Sequence, residues 1–578
     1  MHAIARAFCV ISTRDASAAP LIASLSARLA ASRDLYRVES SGANCALLAW
    51  DFIDELRPEP GASRIRVVIG DDSERDDFDI GAPLGNAAQV TIDADSGVVK
   101  IIPSMTALPP VFLRQIGGVS YASSSLQTLA VASGGSLEID GLAAVELLQV
   151  GFPLNWRTLF RSVTVAPAGQ EIFVGDGEIR FGKLWSLESN TDSALSLEST
   201  VDGQIDRFHA ATRRLSVSNS VLSLTGGLDT RAILSELVHL NMQVPAVTLS
   251  GSGSLSLDAR IASRLTAHYG IRHEIVSLGD EFLSKLPEYA VRASLLSGGL
   301  SSVNQAHEVY FSERVATLGA RRISGNLGNQ VGRLGVEGVS TRGASTTLLH
   351  NDIRHPAALS GEHWISAAVR ECNGRLLDAL ITREVPFSSI GNYSIGHSFS
   401  VQQSPYADRR LITFSASCSG VRPFDTANAR WRDLRHRFLG PDVTTSFQRR
   451  LIARRGGYAS TCPINWGWRA GGGVSPVGLA WGGLAFIDAA ADRLPGASAV
   501  MKRLGLAGIQ ETRPVGTWVD GAMKPFIQDT LRSKKVIDSG VVDSWVLSEL
   551  ADAHSRGQSR HADVIAALDL ALAIENFT

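Results

Sequence analysis

Apolar and polar positions alternate along the first third of the chain. The runs "RIRVVIG" (64–70), "AAQVTIDADSGVVKIIP" (87–103) and "SVTVAPAGQEIFVGDGEIRFG" (162–182) are rich in β-branched residues and broken by "DADSG" and "GDG". Such runs predict strands joined by tight turns. One helix is expected over 140–151, opened by Asp140 as its cap. After Trp185 the texture changes: 187–200 is polar, poor in bulky residues and reads as a linker. Beyond it, short apolar runs alternate with helical periodicity. Strands are expected at 221–224, 244–250, 273–278 and 321–325, and helices at 230–240 and 257–270. That alternation predicts a parallel sheet with helices packed on it. The remainder reads as mostly helical, ending in an aliphatic helix over 559–577. Two domains are therefore expected, 1–190 with an α+β pattern and 200–578 with an α/β pattern.

Composition narrows the possibilities. The 578 residues are 44% hydrophobic and 19% charged, with a formal net charge of -2. That is ordinary globular material, with no overall charge to attract nucleic acid. The five cysteines, Cys9, Cys45, Cys372, Cys418 and Cys462, are scattered and odd in number, which fits a reducing cytoplasm better than a disulfide framework. The first residues lack the pattern of a signal peptide, and the glycine-rich stretch 470–487 reads as loop and core, so no membrane partner is expected.

The candidate chemistry sits at the first strand–helix joint, "VLSLTGGLDTRAIL" (221–234). In open α/β sheets, ligands bind beyond the carboxyl ends of strands. Glycines let a backbone approach a ligand closely, and the following helix offers N–H groups and partial positive charge to an anion. Thr225 and Thr230 add hydroxyls. Asp229 suits a Mg²⁺ ion on phosphates, since that ion takes one or two carboxylates. The plainer alternative is a Gly-Gly turn with Asp229 capping the helix. The loop has neither the Walker spacing nor the dinucleotide fingerprint.

"LTGGLDTR" resembles the SGGxDS loop of enzymes that cleave ATP between the α and β phosphates, and "RRISGNLGNQVG" (321–332) is similar to the second signature, SGxGxDE, of the asparagine synthetase family. Segments 93–124 and 147–172 resemble that family's glutaminase domain. The fold this implies is an α+β glutaminase-like (Ntn-type) sandwich followed by an α/β PP-loop ATP-pyrophosphatase domain. Glutamine hydrolysis in that family needs an N-terminal cysteine. Here His2 follows Met1, and Cys9 reads as a small buried residue. A glutaminase domain without its cysteine, joined to an AMP-transferring domain, resembles the lasso peptide cyclases, or macrolactam synthetases.

The resemblance implies ATP and Mg²⁺ as cofactors, a precursor peptide as substrate, and leader-peptide-binding and protease partner proteins. It places the nucleotide on Leu224, Thr225, Gly226, Gly227, Asp229, Thr230, Thr248, Leu249, Ser324 and Gly325, and the metal on Asp229 and Asn329. This chain departs from the signature in carrying Asn329 and Gln330 for its Asp and Glu, and Asn326 where relatives carry an acid. It also has no lysine between Lys285 and Lys502, where relatives carry a late basic residue. Arginines crowd that region instead, and Arg454 and Arg455, before "GG", are the candidates for the catalytic cation. "SPYADRRL" (404–411) resembles the family's pocket-wall segment, although Asp408 could equally pair with a neighbouring arginine. Rival readings are asparagine-type transfer or β-lactam closure, a non-catalytic peptide-binding scaffold, and a tRNA-modifying adenylating enzyme.

Overall fold

A computed structural model describes residues 3–14, 17–29, 35–39, 44–52, 64–74, 81–93, 96–187, 195–252, 255–333, 343–353, 361–418, 446–464, 469–472 and 513–578. Arg430 to Arg437 and most of the glycine-rich stretch 470–487 lie outside them.

The front of the chain forms one large curled sheet. Its strands are β1 (Ala3–Thr13), β2 (Leu35–Glu39), β3 (Cys45–Phe52), β4 (Arg64–Gly70), β5 (Ala87–Asp93), β6 (Val98–Ile102), β7 (Phe112–Ile116), β8 (Val119–Ser123), β9 (Val163–Val165), β10 (Gln170–Gly175) and β11 (Glu178–Leu184). The order is β11-β10-β6-β5-β4-β1-β8-β7-β9, with β3 also on β1 and β2 on β3. The long first strand explains the curl. Ala3–Ala5 pair parallel with β4, Cys9–Thr13 pair antiparallel with β8, and β3 runs along the opposite edge. The period of two along β1 and β3 sorts their side chains between two cores. Phe8, Val10, Leu47 and Ala49 enter a core enclosed by the sheet itself. Cys9, Ile11, Leu48 and Trp50 enter the other, with Ile22 and Leu25 of the helix Ala19–Leu29.

The expected helix is present as Gly141–Gln149, with the Asp140 carboxylate accepting the Ala143 N–H. The expected linker is shorter than its composition suggests. Ser196 caps a helix over Leu197–Arg214, and Val201, Gln204, Ile205 and Phe208 form its buried stripe. The polar first turn conceals a helix whose apolar period begins only at Val201.

The second sheet is wholly parallel. It contains β12 (Ser220–Ser223), β13 (Ala246–Ser250), β14 (His273–Ser277), β15 (Arg321–Ile323) and β16 (Val401–Gln403), in the order β14-β13-β12-β15-β16. The chain steps outward from β12 in one direction, then returns to its other side at β15. The crevice of such a sheet opens where that direction reverses, beyond the ends of β12 and β15.

The two sheets share one continuous core. The closing helix, His561–Phe577, reaches the front region, where the Leu137 N–H donates to the Phe577 carbonyl and the Phe160 and Phe577 rings lie 5.0 Å apart. Among the described residues, no helix is long and apolar enough to cross a membrane.

Candidate active site

β12 ends in the loop Leu224–Gly227, which runs into the helix Leu228–His239. Gly227 is the helix cap and brings no side chain to close the first turn. The two threonines pin the loop: the Thr225 N–H donates to the Thr230 hydroxyl at 3.0 Å, and the two hydroxyls lie 3.0 Å apart. The Gly226 N–H donates to the Asp258 carboxylate at 3.0 Å. A Cβ on Gly226 would stand 2.8 Å from that same oxygen, so the contact requires glycine. Burial raises the Asp258 carboxyl, opposed by the Gly226 hydrogen bond and the charge of Arg231.

Arg231 ties the loop down from below. It is fully buried and donates to the carbonyls of Gly226 (3.2 Å), Ala459 (3.2 Å), Pro463 (3.0 Å) and Cys462. Burial pulls its guanidinium down to about 10.

The loop after β15 meets this one at Asp229. Asp229 is half-buried, and its Oδ1 accepts the Gln448 amide at 3.0 Å. The same amide donates to the Gly328 carbonyl at 3.0 Å, so Gln448 joins the two loops. A Cβ on Gly328 would fall 2.8 Å from the Asp229 Cγ, which is why the backbones can approach so closely. Leu327, between Asn326 and Gly328, is held at φ 67, a left-handed conformation unusual for a bulky residue. From the third side, the Tyr406 hydroxyl donates to the Asp229 carbonyl at 3.1 Å.

The sequence-derived candidates fall into three groups. Thr225, Gly226, Gly227, Asp229, Thr230 and Gly325 lie together where the loops meet. Ser324 joins them from β15, its N–H donating to the Gln403 carbonyl at 2.9 Å. Asn329 follows Gly328 and is half-buried, whereas Gln330 is committed elsewhere, donating to buried Glu384 at 3.2 Å.

Leu224 and Thr248 are occupied in joining strands. The Leu224 N–H donates to the Val247 carbonyl and its carbonyl accepts the Thr248 hydroxyl at 2.7 Å, while Thr248 also lies 2.9 Å from His273 Nε2. Leu249 is the next residue of β13 and is half-buried.

Arg454 and Arg455 do not face the loop. Arg454 pairs with Asp202, and Arg455 pairs with Glu236 at 2.9 Å. Glu236 is seven residues further along the helix than Asp229, about 10 Å away at 1.5 Å per residue. Each arginine went to the nearest buried or surface acid, which local sequence does not reveal.

Asp408 likewise pairs with Arg214 rather than with its neighbours, and caps the helix Arg409–Ser417. Cys9 is fully buried within β1, and burial pushes its thiol up to about 12, which removes it as a nucleophile.

Gln448, Arg231 and Tyr406 escaped the sequence reading. Arg231 left a trace there, as a charged residue set among the apolar positions of its helix, and Tyr406 lies within the "SPYADRRL" segment.

Compared with known proteins, the chain matches no family model and no curated protein. Among solved structures it is similar to an NMN synthetase from Francisella tularensis, at 13% identity over 25% of this chain and 63% of that chain. The TM-score is 0.17, too low to carry an argument about fold or function, and the match spans less than two thirds of that chain.

Proposed function

We propose that the chain is an ATP-dependent, AMP-forming amide ligase that closes a macrolactam ring in a precursor peptide. The observation that carries this reading is the convergence of two glycine loops on one half-buried carboxylate, Asp229, at the strand reversal of a parallel sheet. An uncapped helix start and exposed Thr225 suit the pyrophosphate end of a nucleotide. One carboxylate among hydroxyls and backbone amides also suits Mg²⁺, a hard ion that keeps waters and phosphate oxygens as ligands. Asp229 and the Asn329 carbonyl oxygen would hold it, and it would neutralise phosphate charge.

In this reading the Asp or Glu side-chain carboxylate of the peptide attacks the α phosphorus, and the bond to pyrophosphate breaks. The peptide's own N-terminal amine then attacks the acyl carbon, loses a proton, and AMP departs. Holding both ends of one peptide replaces a bimolecular encounter. The chain's own part is positional. Arg231 and Asp258 fix the backbone of Gly226, and Gln448 fixes Asp229 against Gly328. With Cys9 buried, the front region would serve as a scaffold rather than an ammonia source. Leader-binding and protease partners and a cytoplasmic setting belong to the same proposal.

One observation favours a second reading, a non-catalytic peptide binder: the second loop carries amides, and Gln330 is spent on Glu384. Incubation with ATP, Mg²⁺ and peptides bearing a free amine and an internal acid separates the two. The ligase reading expects AMP and a peptide lighter by one water. AMP made only with ammonia and aspartate would point to asparagine-type transfer, and no AMP with any peptide would leave the binder.

A further inference from the structure

The helix Leu228–His239 carries a second polar cluster at its far end. Glu236 and His239 are three residues apart and so lie on one face. His209 comes from the helix Leu197–Arg214, and its Nδ1 lies 2.6 Å from Glu236 Oε1. One ligand atom from each of His209, Glu236 and His239 can be chosen so that all lie within 4.8 Å of one another. Glu236 is completely buried, while His239 is exposed and His209 partly so.

The buried carboxylate already attracts a cation. Arg455 Nε lies 2.9 Å from Glu236 Oε2, and Arg455 Nη2 lies 3.2 Å from Oε1 and 3.4 Å from His209 Nδ1. One guanidinium nitrogen thus stands between two of the three potential ligands.

We propose that His209, Glu236 and His239 form a site for a divalent transition-metal ion of the Zn²⁺ or Co²⁺ class, which exchanges with the Arg455 side chain. Two imidazoles and one carboxylate are the ligand set these ions take, and the set is wrong for Mg²⁺, which prefers oxygen alone. Metal–ligand bonds of about 2.0–2.1 Å in a tetrahedron place ligand atoms roughly 3.3 Å apart, so closing the site needs shifts of about an ångström. Arg455 stabilises the buried carboxylate when the ion is absent, and the ion takes over that role when it binds. The exposed imidazole of His239 gives the ion a route in. Competition with Arg455 weakens the apparent affinity, so the site responds to metal concentration instead of remaining permanently filled.

The test uses the full chain without an added histidine tag, stripped with EDTA and titrated with Co²⁺ by visible absorption. The expected result is one Co²⁺ per chain, displaced by Zn²⁺ and not by Mg²⁺. His239→Ala, at an exposed position, should weaken binding at least ~10-fold with unchanged circular dichroism. Arg455→Gln should tighten it by removing the competitor. Absence of a Co²⁺ band at millimolar metal, or binding indifferent to His239→Ala, overturns the site. Weaker or unchanged binding in Arg455→Gln overturns the exchange. None of these readouts depends on ATP chemistry.

Discussion

Asp71, Asp72 and Glu74, just after β4, are sealed where the curled sheet meets the parallel one, whereas Asp229 stands half-buried at the end of β12. The sealed acids are surrounded by donors from the opposite sheet. Asp72 pairs with Arg321 of β15 at 3.0 Å, and the Gln403 amide of β16 donates to Asp71 at 3.1 Å and to Asp72 at 3.0 Å. Glu74 accepts the N–H groups of Gly85 at 2.6 Å and Arg409 at 2.8 Å. Burial pushes the Asp71 carboxyl up to about 7, and burial together with the charge of Asp408 pushes Glu74 up to about 8. Asp229 has an amide from Gln448 and, beside it, glycine backbone. Buried ionisable groups here act as joints, and changing them should alter stability. The half-buried one is the carboxylate we propose meets the ligand, and changing it should alter chemistry.

The sharpest test on the stability side is Arg231→Leu. It leaves four carbonyls without their donor. Unfolding in urea should show a loss of about 4 kcal/mol. A loss below about 1 kcal/mol would mean that the buried charge is not a joint.

On the chemical side, Asp229→Ala should lower AMP formation by at least ~100-fold while the urea midpoint barely moves. Comparable losses of stability and activity would erase the distinction between the two settings. Gln448→Leu should lie between the extremes, since Gln448 touches Asp229 only as a positioning residue. The expected change is about 10-fold in the Mg²⁺ concentration giving half-maximal rate, with the saturated rate largely kept.

The smallest effect is the pH dependence of stability. The folded pKa values of Asp71 and Glu74, about 7 and about 8, exceed their ordinary values of 3.8 and 4.5. The folded chain therefore holds more protons than the unfolded one between these limits. Their stabilising contribution is full below about pH 4 and is lost as pH rises through 7 and 8. From pH 7 to 8.5 stability should fall by about 1.5 kcal/mol. Buried His307 and His397, each held near 4, lose most of their influence once unfolded histidine has deprotonated, so the carboxyls dominate this window. Asp71→Asn combined with Glu74→Gln should flatten the slope and leave AMP formation unchanged.

Local pattern revealed most of the strands. The turns in "DADSG" and "GDG" fall between β5 and β6 and between β10 and β11, and the strand–helix alternation gives β12 to β15. β16 was not legible, because it is only three residues long and two of them, Gln402 and Gln403, are polar; the Gln403 amide is spent on Asp71 and Asp72 in the joint between the sheets. The glycines and threonines of the first loop could be identified from their place between an apolar run and a helical period. Their partners could not, since Tyr406 and Gln448 reach Asp229 across 177 and 219 residues of chain. The arginines showed the opposite problem: the sequence displayed the charges without their destinations, and Arg454 and Arg455 lie beside Asp202 and Glu236.

The most direct measurement uses a precursor peptide whose side-chain carboxylate is labelled with ¹⁸O, incubated with the chain, ATP and Mg²⁺. Adenylation of that carboxylate predicts one ¹⁸O in the released AMP for each ring closed, and none with Asp229→Ala. Label appearing in inorganic phosphate, or a closed ring with unlabelled AMP, would contradict it.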